Sequence, residues 1–305
     1  MLLLGYNFLS YYHFLLGWRK SLNIPLIFRG DSHRLVTQEG IKEHLRKKWI
    51  SSIFRRFSAF LYVGQANYRY FRYHNVDEAK LFFTPHAVDN ERFSKDVASA
   101  KIQANEWKRA LGIPENEKTV LFAGKFEPKK RPLDLLRAFV SANLPHTSLL
   151  MVGNGELEDE LKKEAASLKN VYIAPFQNQT QMPRTYLAGD LFVLPSYGSA
   201  ETWGLAINEA MCLGLPVIVS DQVGCAEDLV HPGKNGLIFS AGDVAALAVC
   251  LKEAFTPPEK LQSWGQESRK IIATFSYRQA TQGLEQALAM LEQKRQQADF
   301  VANSD

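Results

Sequence analysis

The chain has 305 residues, of which 46% are apolar, 22% charged and 11% aromatic, a composition that excludes intrinsic disorder, a collagen-like repeat and a disulfide-stapled mini-domain. Its length sets a prior of two domains. The net charge of +4 is unevenly spread: residues 1–95 hold 15 Lys/Arg against 7 Asp/Glu, and the rest of the chain holds 21 against 25, so the two parts face different partners.

Taken in chain order, Met1 to Leu16 is apolar and aromatic, interrupted by Asn7, Ser10 and His13. It falls short of the ~20 apolar residues that a spanning helix needs, and it has neither a basic leader nor a small-residue cleavage site, so it reads as a buried or interfacial helix. A strand at Ile24 to Phe28, a basic helix at Ile41 to Phe57 and short apolar pieces at Phe60 to Val63 and Leu81 to Thr84 follow. Two or three strands do not complete a doubly wound domain, and residues 1–95 read as a partial one.

From Thr119 the pattern becomes regular. Strand-like runs at Thr119 to Phe126, Ser148 to Val152, Val171 to Pro175, Leu191 to Pro195, Pro216 to Ser220 and Gly236 to Phe239 alternate with helical stretches. These stretches lie near Leu133 to Ser141, Leu157 to Leu168, Gln181 to Ala188, Gly204 to Leu213 and Val244 to Ala254. Such alternation predicts βαβ units, a parallel doubly wound sheet over residues 96–275, and a ligand beyond the carboxyl ends of its strands. Helices near Lys260 to Ile272 and Tyr277 to Gln293 and a frayed tail from Gln296 close the chain, residues 276–305 packing back on the N-terminal part. Cys212, Cys225 and Cys250 form no even set and no CxxC pair, which favours the cytosol.

The chemistry concentrates in Leu194-Pro195-Ser196-Tyr197-Gly198-Ser199-Ala200-Glu201-Thr202-Trp203-Gly204-Leu205-Ala206-Ile207-Asn208-Glu209-Ala210-Met211. A strand ends, a small-residue loop follows, and a helix begins near Gly204. Such a junction exposes backbone N–H groups at the positive end of the helix dipole, which suits a phosphate. Glu201 lies just before the helix and Glu209 within it. Alone, the pair reads equally well as a dipole partner and a surface glutamate.

The segment resembles the E-x7-E signature of the retaining glycosyltransferases of family 4, and three more motifs agree in order. Gly124-Lys125-Phe126-Glu127-Pro128-Lys129-Lys130 is similar to the family's G-R-x-x-x-x-K segment, with Lys125 in the arginine's place. Val152-Gly153-Asn154-Gly155 resembles its G-x-G turn, although a tight turn after a strand explains the glycines too. Val219-Ser220-Asp221-Gln222-Val223-Gly224-Cys225 resembles the loop before its late helix. The resemblance, over about residues 81–275, implies a GT-B fold with a complete C-terminal donor domain and a partial Rossmann-like N-terminal domain. It implies transfer of a sugar from a nucleotide diphosphate to a saccharide or lipid-linked acceptor, with no metal and no other cofactor.

By the same resemblance, Lys125 and Lys130 neutralise the leaving diphosphate and Glu201 holds a sugar hydroxyl. Glu209 accepts from the ribose. The base rests near Phe176 and Gln177, and Gly124, Gly153, Asn154, Thr202, Trp203, Gly204 and Leu205 line the donor site. Asp31 and His33, after the strand Ile24 to Phe28, read either as acceptor-side groups or as caps of the next helix. His86 reads as a hinge-loop side chain. The family's opening strand and Gly-rich turn have no counterpart, so Met1 is expected to start partway through that domain, and the alternative is a catalytically impaired nucleotide-sugar-binding remnant or partner subunit. A nucleotide-sugar epimerase of the same architecture would leave much of the Ser196 to Met211 segment unexplained.

The helix at residues 41–57 interleaves Lys42, Arg46, Lys47, Lys48, Arg55 and Arg56 with Trp49, Ile50, Ile53, Phe54 and Phe57. It reads as a solvated helix or as a peripheral contact with an anionic membrane on the cytoplasmic face. Nucleic acid is set aside for want of a recognised binding module. The histidines show no ligand spacing, and no metal is expected.

Overall fold

The structure is a computed structural model that describes residues 1–5, 11, 24–36, 40–198 and 201–302. It divides into two compact units, one made of Met1–His86 with Tyr277–Asp305 and the other of Ala87–Ser276.

The first unit holds a four-stranded, all-parallel sheet in the order β1 (Leu2–Leu4), β2 (Ile27–Arg29), β3 (Ala59–Tyr62) and β4 (Leu81–Phe83). Helices α1 (Ile41–Phe54) and α2 (Gln65–Tyr73) connect β2 to β3 and β3 to β4. Successive strand residues point to opposite faces, and both faces are used. Phe28 and Phe60 point to one side, where they meet Phe54, Phe57 and Phe71; the Phe28 ring lies 5.0 Å from Phe54 and 5.8 Å from Phe71. Ile27, Ala59 and Leu61 point to the other, where the C-terminal helix (Tyr277–Ala302) covers them through Ala287. That helix runs against β3 and β4 so closely that a Cβ at Gly283 would lie 1.9 Å from the Phe83 carbonyl oxygen.

Three expectations change here. Leu2–Leu4 forms a strand beside β2 instead of opening a helix, because a short apolar run carries no period of its own, and Leu3 points inward while Leu2 and Leu4 are exposed. The remainder of the expected N-terminal helix, apart from Gly5 and Tyr11, lies outside the described residues. The tail expected from Gln296 is helical to Ala302. Helix α2 went unread because its aromatic residues favour strands, although Ala66, Asn67, Tyr70 and Phe71 bury a helical stripe.

The second unit opens with α3 (Asn90–Ser94) and α4 (Val97–Ala110). It continues as a strict alternation: β5 (Lys118–Ala123), α5 (Pro132–Ala142), β6 (Thr147–Val152), α6 (Glu158–Ala165), β7 (Val171–Ala174), α7 (Met182–Leu187), β8 (Leu191–Leu194), α8 (Leu205–Cys212), β9 (Val217–Ser220), α9 (Ala226–Leu229), β10 (Gly236–Phe239), α10 (Val244–Ala254) and α11 (Lys260–Ile272). All six strands are parallel, in the order β10-β9-β8-β5-β6-β7. Every residue of β6, β8 and β9 is buried, as a sheet covered by helices on both faces requires. Numbered within the unit this order is 3-2-1-4-5-6 reversed, the doubly wound arrangement whose winding changes direction between β5 and β8. Helix α4 carried no sequence signal because it buries only Ala104.

Candidate donor-binding site

Beyond the carboxyl ends of β5 and β8 lie the loop Gly124–Arg131 and the segment Pro195–Gly204, of which residues 199 and 200 lie outside the described residues. These are the two loops at the point of reversal, where a crevice opens in sheets of this kind. Backbone and side-chain bonds lace them together. Tyr197 N–H donates to the Lys129 carbonyl at 2.7 Å. Lys130 Nζ forms a close ion pair with Glu201 Oε2, and Ser196 Oγ donates to the same carboxylate oxygen at 2.9 Å. Both charged side chains are largely buried, at 19% and 12% exposure, so their attraction is less screened than that of a surface pair.

The helix behind this pair is capped by Gly204 at φ 99°, ψ 57°, and a Cβ there would meet Val223 Cγ1 at 2.9 Å. Conformation and space therefore both require glycine. The loop after β9 clasps the segment from behind. Gly224 N–H donates to the Glu201 carbonyl at 3.1 Å and Cys225 N–H to that of Trp203 at 2.9 Å, an approach so close that a Cβ on Gly224 would lie 1.8 Å from the Thr202 carbonyl oxygen. Gly198 N–H donates to Gln222 Oε1 at 2.6 Å. The Trp203 ring is buried, stacks obliquely on Phe275 at 6.1 Å and donates to Asn208 Oδ1 at 2.8 Å. It anchors the junction, so what Trp203 can offer a ligand is its backbone. The first-turn amides at Leu205 and Ala206 have no intrahelical acceptor and face the positive end of the dipole.

Glu209, one turn into α8, is half-buried and accepts from Tyr186 Oη of α7 at 2.7 Å. Burial pushes its carboxyl above the ordinary value, against the pull of hydrogen bonds from Tyr186 and Gln179 and of the Arg92 charge. Tyr186 is fully buried and its phenol is held well above its usual range, first by burial and then by the neighbouring carboxylate. Sequence spacing gave no sign of Tyr186, because its meeting with Glu209 depends on the order of the strands. Ser196 stood inside the quoted motif without a role.

The other expected residues occupy the same end of the sheet less tightly. Gly124 N–H donates to the Val152 carbonyl at 3.0 Å, and Phe126 N–H to that of Asn154 at 2.7 Å. A Cβ on Gly153 would fall 1.9 Å from the Gly124 carbonyl oxygen, so this glycine permits the β5 and β6 loops to touch. Lys125 points outward, 72% exposed and 3.5 Å from Glu127. Phe176 is 62% exposed, and Gln177 accepts from Arg184 at 2.7 Å. Asp31 and His33 belong to the other unit, where Asp31 lies 3.5 Å from His86 Nε2 and His33 Nδ1 accepts from Leu35 N–H at 3.3 Å. Among the described residues no group of three or more His, Cys, Asp or Glu gathers as metal ligands, and no helix is long and apolar enough to cross a membrane.

Residues 103–271 match the sequence profile of the glycosyl transferases group 1. The chain belongs to this family. As a group 1 glycosyltransferase it is 29% identical over 198 residues to the sulfoquinovosyl transferase of Arabidopsis thaliana, a match covering 64% of this chain and 37% of that protein. It is 28% identical over 246 residues to the D-inositol 3-phosphate glycosyltransferase of Mycobacterium marinum, covering 74% and 50%. The chain thus spans half or less of the length of these relatives. In structure it is similar to a glycosyltransferase from Rickettsia africae, with a TM-score of 0.76 at 17% identity over 95% of this chain and 76% of that one. Its TM-score with HepE of Anabaena, solved in complex with UDP, is 0.72 at 20% identity, covering 89% and 74%. The group 1 glycosyltransferase fold here is α/β of the GT-B class, with two Rossmann-like parallel sheets.

Proposed function

We propose that this chain carries the donor half of a retaining glycosyltransferase of family 4, which moves a sugar from a nucleotide diphosphate to a saccharide or lipid-linked acceptor. The observation that supports this most is the Lys130–Glu201 pair, which joins the two loops at the reversal of the sheet in front of the glycine-capped helix α8. The diphosphate lies against the α8 amides and Lys130, and Lys130 trades part of its bond to Glu201 for the phosphate oxygens. Glu201, still held by Ser196, accepts from a sugar hydroxyl. Glu209, oriented by Tyr186, accepts from the ribose hydroxyls. Lys125, exposed beside Glu127, turns from that carboxylate toward the phosphates, and Phe176 offers an open ring face to the base.

Charge accumulates on the leaving diphosphate as the glycosidic C–O bond breaks, so a cation and fixed amides there lower the barrier more than they tighten ground-state binding. The acceptor hydroxyl attacks from the face the diphosphate leaves and passes its proton to a departing phosphate oxygen. The anomeric configuration is kept without a covalent carboxylate intermediate. The test is incubation with labelled UDP-, GDP- and ADP-sugars, with NMR of the product anomer. Inversion overturns the retaining reading, and tight nucleotide binding with neither transfer nor hydrolysis replaces it with the partner-subunit reading.

A further inference from the structure

The loop Gly124–Arg131 carries four cations, and each of them faces a carboxylate of the chain itself. Lys130 is paired with Glu201, and Arg131 Nε lies 2.7 Å from Asp134 Oδ2. Lys125 and Lys129 share the third carboxylate. Glu127 Oε1 lies 3.5 Å from Lys125 Nζ and Glu127 Oε2 lies 3.4 Å from Lys129 Nζ, one ammonium on each oxygen. Backbone bonds build the turn that brings these three side chains together: Glu127 N–H donates to the Lys125 carbonyl at 3.0 Å, and the Glu127 carbonyl accepts from Lys130 N–H at 2.9 Å. The Glu127 side chain caps none of the amides of the turn Pro128–Lys130 that follows, and both lysines are exposed. The shape of the loop therefore comes from its backbone, and the carboxylate serves the two lysines.

We propose that Glu127 is a positioning residue for the diphosphate: it holds Lys125 and Lys129 beside the donor site and competes with phosphate oxygens for their ammonium groups, so that the nucleoside diphosphate product departs faster. The inference rests on the reading of this loop as the diphosphate site. A carboxylate with one ammonium on each oxygen offers the lysines what two phosphate oxygens would. Binding then exchanges one anion for another, and departure of the product returns the lysines to Glu127. Without that carboxylate the two cations would grip the diphosphate of donor and product alike, and such uniform tightening lowers KM and slows release without lowering the barrier. The pairs are exposed, so each is weak and screened by salt, and the expected effect is a few-fold shift.

Calorimetry on the full chain with UDP, GDP and ADP, and with uridine, guanosine and adenosine, at low and high salt, tests it. Glu127→Gln is expected to bind the diphosphate that the wild type prefers about three- to tenfold more tightly at low salt, less so at high salt, with no gain for the matching nucleoside. Release of that diphosphate, followed by chase of a fluorescent analogue, should slow by a similar factor, and Glu127→Asp should restore most of the competition. In a Lys125→Gln/Lys129→Gln background, Glu127→Gln should change nothing, because it acts through those lysines. Glu156→Gln, an exposed carboxylate on the loop after β6, controls for net charge. Equal or weaker binding by Glu127→Gln overturns the proposal and leaves the donor site standing, and so does an equal gain in Glu156→Gln. Binding of none of the three diphosphates by the wild type removes the donor-site reading itself, and this inference with it.

Discussion

The six-stranded and four-stranded sheets of this chain share parallel pairing but differ in what closes them. In Ala87–Ser276 each strand is followed by its own covering helix, and the loops at the carboxyl ends are bonded to one another by backbone amides and carbonyls. In the other unit the strands are three or four residues long, one face is filled by phenylalanine rings, and the opposite face waits for a helix encoded some 200 residues later. The first arrangement holds charged groups in fixed positions, as the proposed chemistry on a diphosphate demands. The second puts its sequence into packing and into a basic, partly apolar outer face.

The sharpest way to break this division of labour is Lys130→Ala. Removing a cation aimed at developing charge is expected to lower turnover about 10²–10³-fold, leaving the melting of the four-stranded unit unchanged. A loss confined to stability would move Lys130 from chemistry to packing. Glu209→Ala should weaken nucleotide binding about tenfold or more, the worth of hydrogen bonds to a charged group, whereas Glu201→Ala should cost turnover with a smaller loss of affinity. Equal nucleotide affinity in wild type and Glu209→Ala, measured by calorimetry, removes the ribose assignment. Because burial raises the Glu209 carboxyl, nucleotide affinity should begin to fall on acidification at a higher pH than an ordinary glutamate would give, and Glu209→Gln should lose that dependence.

In the four-stranded unit, Gly283→Ala forces the C-terminal helix away from Phe83 and should cost about 1–3 kcal/mol in chemical denaturation, with nucleotide affinity intact. The effect confined to the narrowest range of conditions is the acid slope of His74. This histidine is buried against Phe54 and Tyr70, Ser51 Oγ lies 3.4 Å from its Nδ1, and burial, aided by the charges of Arg34, Lys47 and Arg46, lowers its pKa from 6.5 to about 4. The unfolded chain takes up the proton first, so stability should decline as pH falls from 6.5 through 4 and level off below. His74→Asn should flatten the slope contributed over that window; an unchanged profile would show that other groups set it.

How much was legible in the sequence follows the same division. The β-branched runs from Val120 to Phe239 bury both faces and announce themselves, and α10 and α11 have the residue bounds their periodicity implies. The loops of the candidate site were readable because Gly204 and Gly224 sit where a side chain has no room. What stayed hidden was of two kinds: the Tyr186–Glu209 bond depends on how separate elements pack, whereas the Ser196–Glu201 bond and the outward turn of Lys125 toward Glu127 are set by loop conformations that carry no periodic signal. In the N-terminal part the signal was weaker for a physical reason. Leu2–Leu4 is too short to show a period, whereas α1 was readable and ends at Phe54, three residues before the expected Phe57.

The return of the C-terminal helix to β3 and β4 also sets an order of events during synthesis. Ile27, Ala59 and Leu61 emerge from the ribosome early but meet Ala287 only after the whole Ala87–Ser276 unit has been translated. Until then the nascent chain presents an uncovered apolar sheet face, a natural ligand for a chaperone. The larger unit, whose sequence is continuous, can complete its own core first, and the smaller one is sealed only when the helix Tyr277–Ala302 has been made.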